Sequence, residues 1–229
     1  MLNDQQNLYL ERMKHCLINT IYGDNEFISV SNTRWFLLRR LNDLFQIAGM
    51  QIVYKKPYEK IRRKHGLPVY PLSAHTMIGI SRLNNLQRCI DEVLEEKVPG
   101  DFIEAGVWRG GATIFMRAML KTKDVTDRYV WVADSFDGLP APDTLHYPHD
   151  NGSTFHNNIM FQVSINEVKD NFCKYSLLDD QVKFLPGWSC DTLPTAPIEK
   201  LSILRLDADM YKSTYEALEY LYPKLSVGG

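Results

Sequence analysis

The sequence predicts an α/β fold with a mainly parallel sheet, and three observations carry that prediction. From residue 101 onward, short apolar runs alternate with helix-forming stretches: "DFIEAG", "RYVWVADSF", "QVKFLPG" and "LSILRLDAD" read as strands. Such alternation gives parallel strands with helices on both faces. The glycine-rich turn "IEAGVWRGGATIF", residues 103–115, joins the first of these strands to a helix. Finally, 229 residues, 45% hydrophobic and 24% charged, suffice for one large domain with at most a modest extension.

The elements follow in order. Residues 5–22 place Leu8, Met13, Cys16, Leu17, Ile18 and Ile21 largely on one stripe, which predicts an amphipathic helix. Residues 32–49 include "WFLLRRLNDLFQIAG", a second helix stopped at Gly49, with Trp35 and Phe36 read as core. A basic, proline-containing segment follows to about residue 73, with "YKKPYEKIRRKHG" at 54–66, and reads as a solvated connector. An RNA-contacting arm would carry a wider basic face with stacking aromatics. "SRLNNLQRCIDEVLEEKVPG" at 81–100 is a third helix, ended by Pro99 and Gly100. "GGATIFMRAMLKT", "SINEVKDNFCKYSL" and "STYEALEYLYPKL" are the later helices. Ser164 stands as the cap of the second, with Glu167 reaching back in a capping box. The chain thus divides into an N-terminal helical extension and connector, 1–73, and a main domain, 74–229.

Composition excludes several roles. A net charge of -2 favours neither wholesale nucleic-acid binding nor an anionic membrane. The N-terminus mixes acids and amides into its apolar residues, unlike a signal peptide. No apolar run approaches the ~20 residues of a membrane span. Cys16, Cys89, Cys173 and Cys190 are scattered without a CxxC, as expected of reduced thiols in a cytoplasmic protein.

In doubly wound folds, ligands bind at the carboxyl ends of the strands. Gly106 lets the backbone turn sharply there, and Gly110 and Gly111 permit close approach. Exposed N–H groups at the helix start favour a ligand carrying negative charge. The spacing is E-x-G-x-x-x-G, not the G-x-G-x-x-G of dinucleotide binders. Glu104 would repel a pyrophosphate and attract an ammonium. A ligand with both a carboxylate and an ammonium, such as the methionine half of S-adenosylmethionine, suits the pair. The alternative is an ordinary glycine-rich turn. The next strand ends in Asp134, an acid placed to reach ribose hydroxyls or else to cap its own loop. Together the two signals point to an adenosine-type cofactor. The long polar loop from Gly138 to Val163 reads as a solvated lid, with one histidine near the substrate. The spacing of His146, His149 and His156 matches no zinc pattern.

Longer motifs carry a resemblance. "HTMIGISRLNNLQRCIDEVLEEKVPGDFIEAGVWRGGATIFMRAML", "VWVADSFDGLPAPD", "FLPGWSCDTLPTAP" and "LRLDADMYKSTYEALEYLYPKLSVGG" together resemble the macrocin-type O-methyltransferases. "LYLERMKHCLINTIYGD" looks like the start of the same family, so only the 50–70 connector falls outside. The resemblance implies a Rossmann-like class I methyltransferase using S-adenosylmethionine and Mg²⁺ on a sugar hydroxyl of a small glycosylated natural product. It also implies a homo-oligomer for the full-length enzyme.

Residue by residue, Glu104, Gly106, Trp108 and Gly110 match the methionine-side loop. Asp134 matches the ribose-binding acid, with Ser135 and Phe136 beside it. "GWSCDTLP" matches the adenine-side loop, with Ser189, Cys190 and Asp191 as candidates. Ser189 stands where the family more usually has Phe, which loosens the adenine assignment. "LRLDADMY" matches the metal-bearing strand end, with Ala208 in place of the usual Gly, tolerable if its φ is below zero. Asp207 and Asp209, two apart, face one side there and offer hard oxygen ligands that suit Mg²⁺. Asp207 is the expected metal ligand; Asp209 is a metal ligand, a general base, or a cap for the helix beginning near Ser213. The family continues past "SVGG" into its last strands and an acidic pair that completes the metal site. The expectation is therefore a truncated chain with those strands missing, weak in metal binding and activity and prone to self-association. A catalytically silent cofactor-binding module is the alternative, and a nucleotide-sugar or NAD-dependent oxidoreductase a more distant one.

Overall fold

The computed structural model of the chain describes residues 2–21, 25–32, 34–57 and 73–229. The N-terminal part begins with α1, Asp4–Leu17, whose cap is a reciprocal box: Asn3 Oδ1 accepts from Gln6 N–H at 2.8 Å, and Gln6 Oε1 from Asn3 N–H at 2.9 Å. Its buried stripe is Leu10, Met13, Lys14 and Leu17, whereas the predicted Leu8 and Ile21 are exposed. Lys14 tolerates burial because its ammonium bonds Glu11 at 2.5 Å and Asn84 at 2.7 Å.

Two strands absent from the sequence reading follow. β1, Asn25–Ser29, and β2, Val53–Pro57, pair antiparallel with Phe27 opposite Lys55. Between them stands α2, Phe36–Ile47. Lysines and a proline made β2 read as connector; pairing with a distant segment makes it a strand. The rest of the basic connector, 58–66, lies outside the described residues. Trp35 and Phe36 are not core: both stand well exposed.

The main domain meets its prediction closely. After α3, Ile80–Glu95, come β3, Asp101–Ala105; α4, Gly111–Thr122; β4, Val130–Asp134; α5, Ile165–Lys174; β5, Val182–Pro186; the short α6, Ser189–Thr192; β6, Leu201–Leu206; and α7, Tyr211–Leu221. The four main-domain strands form one parallel sheet in the order β5-β4-β3-β6. Beyond β6, the described residues add a single parallel bridge from Leu201 to Leu225.

Period-two alternation sends side chains to two cores. Phe102, Val130 and Val132 pack with α1, α3 and α4 on one face. Ile103, Ala105, Trp131 and Ala133 pack with Ala217 and Leu221 of α7 on the other. α4 is buried from Gly111 through Leu120. Arg117 within that run is tied to Asp179 at 2.9 and 2.6 Å, and this pairing holds the Asp179 carboxyl below its ordinary range. Ser164 caps α5 as predicted, but Glu167 does not close the box; its carboxylate lies 3.3 Å from Arg109 Nε.

Candidate functional site at the strand carboxyl ends

The parallel sheet brings the carboxyl ends of β3, β4 and β6 together. Asp207 N–H donates to the Ala105 carbonyl and Gly106 N–H to the Ala133 carbonyl, both at 2.9 Å, so the loops leave the sheet side by side. Each loop then turns through a left-handed residue that is not glycine: Trp108 at φ +50°, Phe136 at +56° and Asp209 at +57°. Bulky residues in that region are held there by their surroundings. The loops open on a cavity of about 490 Å³, within the range of small-molecule sites.

Of the residues expected from sequence, Glu104, Gly106, Trp108, Asp134, Ser135, Ser189, Cys190, Asp207 and Asp209 line this cavity. Gly110, Phe136 and Asp191 do not. Gly110 instead shapes the turn, at φ +82° as the N-cap of α4. The Phe136 ring lies 6.1 Å from Phe184, in the layer beneath. Asp191 accepts from the Cys190 thiol at 3.6 Å.

Glu104 is 2% exposed, with Arg205 Nη1 at 2.8 Å from its Oε1. Its Oε2 is buried and accepts no hydrogen bond of good geometry, the Thr113 N–H being the backbone donor that acts on the carboxyl. Burial drives the Glu104 carboxyl up to about 8, and Arg205 offsets this only in part. Burial acts to lower Arg205, but Glu104 and Asp207 outweigh it and raise the guanidinium. The two directions imply different states of Glu104. That of Glu104 is the firmer: the guanidinium stays charged whichever state its neighbour takes, so only the carboxyl responds to burial, and it keeps its proton near neutral pH in the ligand-free chain. Arg205 also donates to Asp207 Oδ2 at 2.8 Å and so bridges the two acids.

Asp134 is committed to its own loops. Its Oδ2 accepts from Val107 N–H at 2.7 Å and Trp108 N–H at 3.3 Å; its Oδ1 accepts from Phe136 N–H at 2.9 Å and Ser135 Oγ–H at 3.4 Å. Burial raises this carboxyl, and those hydrogen bonds oppose the rise. The loop-capping alternative is thus realised, and a ribose would have to share these lone pairs.

The start of α4 also departs from expectation. Gly111 N–H donates to the His75 carbonyl at 2.9 Å, so protein backbone satisfies the first donor that a ligand was expected to use. This packing needs glycine, since a Cβ at 111 would meet His75 and Thr76. The segment just after the connector therefore crosses the glycine turn and lends Thr76, Met77 and Ile78 to the cavity. No local pattern announces such a long-range contact.

Asp209 does not cap the last helix. Asp150, 5% exposed, accepts from Tyr211 N–H at 2.8 Å and Lys212 N–H at 3.0 Å. The Asp209 carboxyl, raised by burial and then by Asp207, faces the cavity instead. Ala208 is not among the left-handed residues, consistent with the tolerated swap. Lys212, Ser213 and Glu216 also line the cavity, and their helical spacing after Asp209 was the signal available to find them.

The polar loop is a wall more than a solvated lid. It forms 3₁₀ turns at Pro148–Asp150, Phe155–Asn157 and Ile159–Phe161. It is pinned in its middle by Asp150 and near its far end by Trp108 Nε1–H donating to the Met160 carbonyl at 2.7 Å. Phe155 and Phe161 face the cavity, but no histidine of the loop does. His146 pairs with Asp143, and the His149 ring lies 4.7 Å from the Tyr211 ring, tilted by 41°.

The donor set can be tested against the expected groups. The buried, unbonded Glu104 Oε2 fits an ammonium, and the surrounding wall of Trp108, Trp188, Leu139 and Phe161 fits an apolar nucleoside and acceptor. Among the described residues no group of three or more His, Cys, Asp or Glu is placed to hold a metal. Asp207 and Asp209 supply two carboxylates, which suits a Mg²⁺ that keeps most of its waters rather than a closed cage. No helix among the described residues is long and apolar enough to cross a membrane.

Comparison with known proteins identifies the family. The profile of the macrocin-O-methyltransferase (TylF) family matches residues 6–229. The chain is 44% identical over 228 residues to the demethyldecarbamoylnovobiocin O-methyltransferase of Streptomyces niveus, covering 99% of this chain and 79% of that protein. It is 44% identical over 225 residues to the mycinamicin III 3''-O-methyltransferase of Micromonospora griseorubida, covering 97% and 80% respectively. Among solved structures, the O-methyltransferase NovP superposes with a TM-score of 0.80 at 44% identity, covering 97% of this chain and 81% of that one. The calicheamicin methyltransferase CalS11, at 16% identity and a TM-score of 0.54 over 99% of this chain and 76% of its own, shares the fold.

Proposed function

The chain belongs to the macrocin-O-methyltransferase family and is an O-methyltransferase, and from that premise we propose that it methylates a sugar hydroxyl of a glycosylated natural product with S-adenosylmethionine and Mg²⁺. The observation that carries the reading is the convergence of Glu104, Asp134, Asp207 and Asp209 on one cavity, with a carboxylate oxygen of Glu104 buried and unbonded. A dimethoxy-rhamnosyl-tetracenomycin-C 4'-O-methyltransferase of Streptomyces olivaceus, 44% identical over 231 residues, acts on a glycosylated compound of this kind, which supports the acceptor class.

S-adenosylmethionine supplies an electrophilic methyl on a sulfonium. The protein's part is to align the acceptor oxygen with that methyl and the sulfur, and such positioning supplies much of the rate. Glu104 takes the ammonium, with Gly106 and Trp108 shaping the methionine side. Asp134 and Ser135 fix the ribose side, and Ser189 and Cys190 the adenine side, with Asp191 outside the cavity and bonded to the Cys190 thiol. Trp108 keeps its place by stacking on the Arg109 guanidinium at 4.4 Å and bonding the Met160 carbonyl. Phe155 and Phe161 screen the reacting atoms from water. Asp209, whose carboxyl is raised by burial and by Asp207, accepts the proton of the acceptor hydroxyl. Asp207 and Asp209 would hold a Mg²⁺ ion, which would supply Lewis-acid polarisation of the acceptor hydroxyl.

Asp207→Asn tests the assignment. It keeps the side-chain shape and an acceptor for Arg205, so S-adenosylhomocysteine affinity by calorimetry should change little. Methyl transfer to a demethylated, glycosylated acceptor should fall by ~100-fold or more. Equal loss of both would make Asp207 a cofactor or structural residue.

A further inference from the structure

The glycine turn is closed to the anionic group that its pattern invites. Of that turn, Gly106, Val107 and Trp108 line the cavity, and protein acceptors already take their N–H groups. Gly106 donates to the Ala133 carbonyl at 2.9 Å; Val107 and Trp108 donate to Asp134 Oδ2 at 2.7 and 3.3 Å. At the head of α4, Gly111 N–H goes to the His75 carbonyl and Ala112 is only 2% exposed. An amino-acid ligand thus finds Glu104 for its ammonium, while its carboxylate meets backbone donors that are already engaged.

The charges around the cavity sharpen the need for a cation. Glu104, Asp134, Asp207, Asp209 and Glu216 all line it, and a carboxylate set among acids alone would be repelled. Among the described residues, two cations line the same space, Arg82 and Lys212. Lys212 is engaged on α7: its ammonium lies 3.9 Å from Glu216 and 5.9 Å from the centre of the Tyr147 ring. Arg82 stands in the first turn of α3, one helical turn beyond Ile78, on the segment that crosses the glycine turn. Its side chain is exposed and forms no hydrogen bond or ion pair with any described residue.

We infer that the Arg82 guanidinium binds the carboxylate of the cofactor's methionine half, while Glu104 holds the ammonium. This rests on the S-adenosylmethionine reading and adds a residue that neither the glycine pattern nor the strand-end acids announce. A guanidinium offers paired N–H donors that match a carboxylate, and such charge-assisted pairs are the strong ones. Two opposite charges then grip the amino-acid end and set the direction of the sulfonium. Because that end is remote from the transferred methyl, the contact acts on cofactor binding more than on the chemical step.

Calorimetry with two ligands tests this on the whole chain. One is S-adenosylhomocysteine; the other is its decarboxylated analogue, S-adenosyl-3-thiopropylamine, which keeps the amine and the nucleoside. Arg82→Met keeps the apolar stem and removes the charge, and thermal unfolding should not move because the side chain has no partner to lose. Affinity for S-adenosylhomocysteine should fall about 10- to 100-fold in this variant, and affinity for the analogue by less than about twofold. Arg82→Glu should weaken S-adenosylhomocysteine further and leave or raise affinity for the cationic analogue. Equal losses for the two ligands, or no loss for either, would overturn the assignment of Arg82 while leaving the cofactor reading intact. An unaltered chain that fails to bind S-adenosylhomocysteine would overturn the cofactor reading and this assignment together.

Discussion

Asp150 caps a helix that begins 61 residues after it: its carboxylate accepts the Tyr211 N–H at 2.8 Å and the Lys212 N–H at 3.0 Å. One buried acid therefore ties the loop carrying Phe155 and Phe161 to the helix carrying Lys212, Ser213 and Glu216, and so joins two walls of the cavity. Asp150→Ala should lower stability by ~1–2 kcal/mol, the usual cost of a lost helix cap, and Asp150→Asn should recover most of it. Urea unfolding measures the loss, and amide exchange at Tyr211 and Lys212 localises it. Unchanged exchange at those two amides would mean the cap contributes nothing.

Asp134 carries a different expectation. Removing its carboxylate strands the N–H groups of Val107, Trp108 and Phe136, so Asp134→Ala should cost roughly 1–3 kcal/mol of stability per buried group left unpaired. Cofactor affinity should fall with it, because the same loops shape the cavity. Calorimetry with S-adenosylhomocysteine and thermal unfolding read the two effects. A fall in affinity at full stability would instead mark Asp134 as a ligand contact alone.

Glu104 predicts a pH signature. Its folded value of about 8 lies above the ordinary 4.5, so between them the unfolded chain has lost a proton that the folded chain keeps. The ligand-free protein should lose stability as pH rises across that window, and the slope should flatten above it. An ammonium bound beside Glu104 favours its ionised form, so ligand binding near pH 7 should release protons. Calorimetry in buffers of different ionisation enthalpy counts them. Glu104→Gln should abolish the release, and an unaltered count would place the protons elsewhere.

Gly106 sits at φ +84°, where a Cβ would fall on the Asp207 backbone. Gly106→Ala should cost ~1–3 kcal/mol from backbone strain alone, plus the displacement of Asp207. Both thermal stability and S-adenosylhomocysteine affinity should drop; an intact cavity in this variant would show that the two loops can part.

Much of this was legible along the chain. Each main-domain strand was visible as an apolar run between helical periods, because a buried parallel strand must be apolar on both faces. Glu104, Asp134, Asp207 and Asp209 were legible because a parallel sheet gathers the carboxyl ends of its strands, wherever its loops lead. The loop histidines misled, since a polar run gives no hint that Asp150 anchors it. β1 and β2 escaped because each is a weak strand alone. Trp35 and Phe36 were assigned to the core because apolarity says that a side chain seeks cover, not whose.

By itself, then, the sequence determined the α/β class, the glycine turn and the acids at the strand ends, all of which rest on local period and spacing. The tertiary structure alone decided that Asp134 serves its own loops, that the His75 carbonyl takes the first N–H of α4, and that α2 shows its apolar face to solvent. Those outcomes depend on which distant groups meet. A hydrogen bond or buried face is fixed by the partner that arrives across space, and residue spacing does not encode that partner.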